Sequence, residues 1–353
     1  MVLASDRISA SGFLIPDFPL DRPQSPAWLT VPLSKLYEQA ARWYHRRYDQ
    51  AVAYHAPVPV ISVGNITVGG TGKTPTVMGL ARLIWKLHPE FKEPNRLAIL
   101  SRGYGRKSRM RVVVNVDSDW KECGDEPLLM KHALPEAAVV VHADRVRAAR
   151  YATEELGARF ILLDDGFQHR RLARDLDVVL VDGEHPAGNG HLLPAGPLRE
   201  PIDNLRRASL ILGIGETCRE AEKLAGGLGK PFLSATPQVR LPHSVADGSV
   251  KDVLALASIA RPNRFIKFLT NNGLNVISQE LFADHHRYSI KELESVSKKA
   301  IQVGAKAVVT TEKDKARIPS WPYSVPLLVV GLEMLFENET YLGKIIGDLI
   351  AKT

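Results

Sequence analysis

The stretch VISVGNITVGGTGKT, residues 60 to 74, constrains this chain more than any other. Val60-Ile61-Ser62-Val63 is apolar and β-branched, and it predicts a buried strand. A glycine-rich turn follows, and Gly72-Lys73-Thr74 opens a predicted helix. Strand, glycine loop, Gly-Lys-Thr and helix in that order make a phosphate-binding loop. Backbone N–H groups from Gly69 to Gly72 can wrap a polyphosphate, because glycine accepts the required dihedrals and carries no Cβ. Lys73 is spaced to reach β- and γ-phosphates, and the Thr74 hydroxyl to ligate Mg²⁺. The helix N-terminus adds positive potential and open donors. Thr67 stands where the G-x-x-x-x-G-K-[ST] pattern has its first glycine, so Gly69 and Gly70 must supply the flexibility. The plain alternative is a glycine-rich turn that holds no ligand.

The 353 residues suffice for two domains, at about 100–200 residues each. A formal charge of +7 favours an anionic partner, whether nucleotide, phospholipid surface or nucleic acid, without choosing among them. Cys123 and Cys218 allow at most one disulfide and no metal-ligand spacing, which points to a reducing compartment. The sequence has neither an apolar run long enough for a transmembrane helix nor the pattern of a secretory signal.

Residues 1–26 are rich in Pro, Ser and Asp and are expected to form a poorly ordered extension. Residues 27–53 read as an amphipathic helix, with Leu33, Leu36, Tyr37, Ala40, Tyr44 and Tyr48 on one face. That face suits either an anionic lipid surface, with Lys35, Arg42 and Arg46 on its flank, or the protein's own core. Alternating strands and helices to residue 230 predict a parallel sheet with helices on both faces. Within it, Phe160 to Asp164 is a buried strand ending in the acidic pair Asp164-Asp165, the second half expected of a nucleotide-triphosphate site. Val178 to Asp182 is a rival of the same form, less favoured because Asp165, Gln168, His169, Arg170 and Arg171 gather polar groups beside Asp164. Gly124-Asp125-Glu126-Pro127 opens a helix, where the two acids suit either capping or chemistry. Residues 186–207 form a long irregular segment. Residues 231–247 are expected to be a linker or paired strands, and 248–353 a smaller α/β lobe. In that lobe His285 and His286 lack a nearby third ligand, so proton abstraction suits them better than metal binding, with a loop turn that carries no chemistry as the plain alternative.

The motifs VGNITVGGTGKTP, SRGYGR, GDEP, ADR, DDGFQH, GPLREP, FADHHRY and TTEKD occur in this order between about residues 57 and 330. Together they resemble the tetraacyldisaccharide 4′-kinase (lipid A 4′-kinase) family. The resemblance implies an α/β fold: a P-loop NTPase-type parallel sheet flanked by helices, with a second, smaller α/β lobe. It implies transfer of the ATP γ-phosphoryl group to the 4′-hydroxyl of an acylated glucosamine disaccharide 1-phosphate, with Mg²⁺. Carried over by motif, Thr67, Val68, Gly69, Gly70, Thr71, Gly72, Lys73 and Thr74 hold ATP, and Thr74 with Asp164 serves the metal. Asp125 pairs with His285 to deprotonate the attacking hydroxyl. Glu126, Asp165, His169 and Glu200 are secondary candidates for metal or network roles, and Arg145, Arg171 and Arg199 for neutralising phosphate charge. The family works peripherally at the cytoplasmic face of the bacterial inner membrane, here through the N-terminal helix, with no nucleic-acid partner implied. That helix departs from the family's strongly apolar one, carrying Lys35, Glu38, Arg42, His45, Arg46, Arg47 and Asp49. The competing classes are a regulatory P-loop NTPase switch and a non-catalytic, nucleotide-holding scaffold. A GTPase would need Asn-Lys-x-Asp after a late strand, which Thr311-Glu312-Lys313-Asp314 does not supply.

Overall fold

The computed structural model describes residues 27–49, 52–106, 108, 110–259, 262–283 and 286–352. The expected extension at 1–26 and the candidate His285 lie outside these residues. The described chain divides into two compact units, 27–237 with 334–352, and 238–333.

The larger unit begins with helix α1 (Ala27–Asp49). Strand β1 (Val60–Asn65), helix α2 (Lys73–Leu87), strand β2 (Leu97–Ser101) and edge strand β3 (Val112–Val114) follow. Next come α3 (Trp120–Cys123), α4 (Asp125–Ala133), β4 (Ala138–Val141), α5 (Arg145–Glu154) and β5 (Phe160–Asp164). β6 (Leu176–Asp182), β7 (Leu210–Ile214), α6 (Arg219–Leu228) and β8 (Phe232–Arg240) complete the run. The sheet order is β8-β7-β6-β1-β5-β2-β4-β3, parallel except for the antiparallel edge pair β3–β4. β1 lies in the middle and is buried at every position, as its continuous apolar run requires of a strand covered on both faces. Val60, Ile161 and Leu163 pack with Ala148, Ala149 and Ala152 of α5. Successive side chains alternate across a strand, so Ile61 and Val63 point to the opposite face, the side of α2.

The smaller unit holds α7 (His243–Ala246), β9 (Asp252–Ala257), α8 (Pro262–Asn271), β10 (Asn275–Leu281), α9 (Ile290–Gln302), β11 (Ala307–Thr311), α10 (Glu312–Lys315) and β12 (Leu327–Phe336). Its parallel sheet runs β10-β9-β11-β12. Val253 and Ala255 pack with Phe265 and Leu269 of α8, whereas Leu254 and Leu256 pack with Leu293 and Val296 of α9. The period of two thus gives each face its own helix. Helix α11 (Glu339–Ile350) returns to the larger unit.

Two expectations about domain limits need correction. Residues 231–247 are largely β8 and α7 rather than a linker, because Leu233 and Ala235 alternate into the core. The last helix belongs to the larger unit, where its buried Leu342 and Ile346 face inward.

Helix α1 docks by a narrow polar stripe. Thr30 and Ser34 are buried, and Ser34 Oγ donates to the Leu192 carbonyl at 2.6 Å. Leu33, Leu36 and Trp43 are exposed, at 47%, 63% and 62%. Packing of the Leu33–Leu36 face on the protein's own core, one of the two readings of its periodicity, is therefore not observed. Among the described residues no helix is long and apolar enough to cross a membrane.

Candidate active site

β1 and β5 are neighbours, and Val63 pairs in register with Asp164. The glycine loop and the acidic pair therefore leave the sheet at the same carboxyl edge, where parallel α/β sheets gather ligands. Gly72 is the N-cap of α2 with φ 83° and supplies no side-chain cap. Gly69 has φ 105°. Both lie in the left-handed region, which costs glycine little and other residues more. No capping side chain shields the first amides of α2, the arrangement that receives an anion.

Segment 197–200 runs along the loop. Thr67 forms an antiparallel bridge with Leu198, and Val68 N donates to the Pro197 carbonyl at 2.8 Å. Thr71 N donates to Gly69 O at 3.1 Å, while Gly69 and Gly70 are exposed. Lys73 Nζ donates to Asn65 Oδ1 at 3.2 Å and lies 3.7 Å from Asp165 Oδ1. Thr74 is buried in the first turn of α2.

Asp164 is buried, and its Oδ2 accepts from Ser101 Oγ at 3.0 Å. Burial, with the neighbouring Glu126 and Asp165 carboxylates, pushes its pKa up to about 7. Asp165 moves the other way. Burial opposes its ionisation, but Arg199 and Lys73 outweigh burial and hold it at about 2. Asp165 also has φ 49°, unusual for a residue with a side chain. Such strain persists where surrounding contacts over-determine it. Here Arg199 grips both carboxylate oxygens, at 2.9 and 3.1 Å. Asp182, the rival of Asp164, instead caps a turn by accepting from Glu184 N and His185 N.

Asp125 is half-buried at the start of α4 and accepts from Glu126 N at 3.0 Å. A Cβ on Gly103 would lie 2.6 Å from the Cys123 carbonyl, so glycine there lets the β2 loop meet the approach to α4. Glu126 is close enough to raise the Asp164 pKa. Arg145 is buried, and burial lowers its pKa against the pull of Asp164 and Asp165. Its Nη1 donates to the Ala143 carbonyl at 3.0 Å, and its Nε has no hydrogen-bond partner among the described residues. His169 is kept neutral, its pKa lowered to about 4 by burial and then by Arg145. Arg171 is exposed and paired with Asp144, the N-cap of α5, at 3.1 Å. Glu200 is fully buried and accepts from Gln168, Asn204 and Arg207 at 2.6–2.7 Å.

The structure thus gathers Lys73, Thr74, Asp164, Asp165 and Arg199 around one loop, with Glu126 and Arg145 within electrostatic reach. Arg171 points to Asp144 instead, and Glu200 serves a structural network. Sequence reasoning overlooked Asn65 and Ser101. Each is a polar residue closing an apolar strand run, and that break in pattern was the available signal.

Comparison with known proteins decides the family. The family model described as tetraacyldisaccharide-1-P 4′-kinase matches residues 26–350. The chain belongs to this family. A tetraacyldisaccharide 4′-kinase of Anaeromyxobacter sp. (strain K) is 41% identical over 297 residues, spanning 77% of this chain and 76% of the relative. One from Pelobacter propionicus is 35% identical and covers 92% of both chains. The crystal structure of LpxK from Aquifex aeolicus in complex with ATP superposes with a TM-score of 0.74 at 32% identity, covering 91% of this chain and 98% of that one. The family's fold is the one observed here: a mostly parallel sheet flanked by helices.

Proposed function

We propose that this chain is a tetraacyldisaccharide 4′-kinase, transferring the ATP γ-phosphoryl group to the 4′-hydroxyl of tetraacyldisaccharide 1-phosphate in lipid A biosynthesis. The observation that carries the reading is Lys73, Asp164 and Asp165 converging on an uncapped helix N-terminus, in a member of this family. A regulatory NTPase switch is not favoured.

In this reading Thr67–Thr74 wrap the phosphates, and Lys73, still aimed by Asn65, exchanges Asp165 for the β- and γ-phosphates. Arg199 and Arg145 add positive charge where the transition state spreads negative charge. The Thr74 hydroxyl and the Asp164 carboxylate would hold Mg²⁺. The donor set fits that ion: hard oxygens, with a buried carboxylate crowded by Glu126 and Asp165. No group of three acidic, His or Cys residues that could hold a metal occurs among the described residues. Mg²⁺ held by Thr74 and Asp164 would supply positive charge to neutralise the phosphates. Asp125 and His285 are the residues assigned to take up the proton of the 4′-hydroxyl, as the family's motifs imply.

Helix α1 is read as the peripheral contact with the cytoplasmic face of the inner membrane. Exposed Leu33, Leu36 and Trp43, with Lys35 beside them, support this. Product analysis with Asp125→Asn and His285→Ala tests the proton-transfer assignment. Each is expected to lose about 10²-fold or more in kcat while keeping ATP binding. Unchanged turnover in both would remove the proposed base.

A further inference from the structure

Asn65 closes β1 and is fully buried. Its side chain touches three parts of the site at once. Oδ1 accepts from Lys73 Nζ at 3.2 Å and also from Arg199 Nη2. Nδ2 donates to Thr71 Oγ1 at 2.6 Å and reaches Thr67 Oγ1 at 3.4 Å. The main-chain carbonyl accepts from Gln168 Nε2 at 2.8 Å and Arg199 Nη2 at 3.0 Å.

Two cations therefore converge on one amide oxygen. Both already share the Asp165 carboxylate, and a second carboxylate in place of this amide would hold them more strongly still. The neutral oxygen aims Lys73 and Arg199 but cancels neither charge, so Asn65 leaves the site's attraction for an anion intact. The amide N–H₂ group ties together the side chains of Thr67 and Thr71. It thereby braces the loop at the position where the phosphate-loop pattern has glycine and this chain has Thr67. Asn could not be exchanged for Asp without losing these donors and placing a negative charge beside the phosphate-binding amides.

We propose that Asn65 is a positioning residue for phosphoryl transfer. Its amide sets Lys73 and Arg199 and braces the loop through Thr71 and Thr67, without touching the nucleotide. This rests on the reading of the loop as the ATP site.

The test compares Asn65→Asp and Asn65→Ala with the wild type, measuring the thermal midpoint, ATP affinity with Mg²⁺, and kcat and KM for transfer to the lipid. In the empty protein Asp keeps the shape and pairs with both cations, so its midpoint should be at least that of Asn65→Ala. Its ATP affinity should nevertheless be the weaker of the two, by about 10-fold or more, because one full charge is cancelled near the triphosphate. Asn65→Ala should lower kcat about 10-fold and leave KM for the lipid within about twofold. A merely structural role predicts the opposite order, with activity following the midpoint and the isosteric Asp the milder change. That order, or ATP binding by Asn65→Asp within about twofold of wild type, overturns the proposal. A wild type that binds no ATP would overturn the nucleotide reading, and this inference with it.

Discussion

Arg199 and Asp165, 34 positions apart in sequence, meet as a two-point ion pair, Nη2 to Oδ1 at 2.9 Å and Nη1 to Oδ2 at 3.1 Å. The pair fastens segment 197–200 to the turn after β5 and holds the left-handed backbone of Asp165. A lysine cannot reproduce this fork, since its ammonium is a single point charge. Arg199→Lys should lower kcat/KM for ATP by about 10-fold or more. Steady-state kinetics at varied ATP checks this. A value within twofold of wild type would remove Arg199 from the account.

Glu200 should matter for stability first. It is fully buried and accepts from Gln168, Asn204 and Arg207. Glu200→Ala leaves Arg207 without its carboxylate partner, a loss of about 3–5 kcal/mol for a buried pair. Urea unfolding should show the midpoint falling with the slope unchanged.

His169 gives the larger unit a pH-dependent stability. Its folded-state pKa is about 4 against an ordinary 6.5. Between these values the unfolded chain takes up a proton that the folded chain refuses. The contribution is present above about 6.5 and is lost as pH falls towards 4. His169→Gln removes it. From pH 7 to 5 the variant's thermal midpoint should decline less than that of wild type, by roughly 2–4 °C. Parallel declines would show that His169 is not the group responsible.

The smaller unit has its own polar knot. Asp314 Oδ1 accepts from Ser258 N and Oγ, Tyr288 OH and Arg317 Nη2, and Oδ2 from Thr311 Oγ1. It joins the carboxyl ends of β9 and β11 to the segment before α9. Tyr288→Phe should cost about 1 kcal/mol, one hydrogen bond. Amide exchange should quicken in β9 and β11 and stay unchanged in β1 and β5. A uniform change across both sheets would contradict this.

If α1 meets lipid, its exposed apolar side chains supply the affinity. Leu36→Glu and Trp43→Glu each remove about 1.5–3 kcal/mol of burial. Sedimentation with anionic vesicles should show binding weakened about 10-fold or more. Unaltered binding would move the lipid contact elsewhere.

How much of this was legible in the sequence follows from the range of the forces involved. The phosphate loop, α2 and the strand ending at Asp164 were readable, because local periodicity and glycine placement dictate them. The strand from Phe232 was legible only as an alternative to a linker. Its proline and mixed burial hide a strand whose inner positions are only alternately apolar. Arg171 and Arg199 look alike in sequence. Only the fold sends one to the Asp144 cap and the other to Asp165. Asn65 showed only as a polar break at the end of an apolar run, since its contacts reach Arg199, 134 positions away. For α1 the periodicity was right, but a polar stripe through Ser34 sets the docked side.

The most direct test of the central claim is transfer of label from γ-³²P-ATP with Mg²⁺ to tetraacyldisaccharide 1-phosphate in detergent micelles, with Lys73→Ala as control. Wild type should label the lipid and Lys73→Ala should not. Release of free phosphate with no labelled lipid, or label that persists in Lys73→Ala, would contradict it.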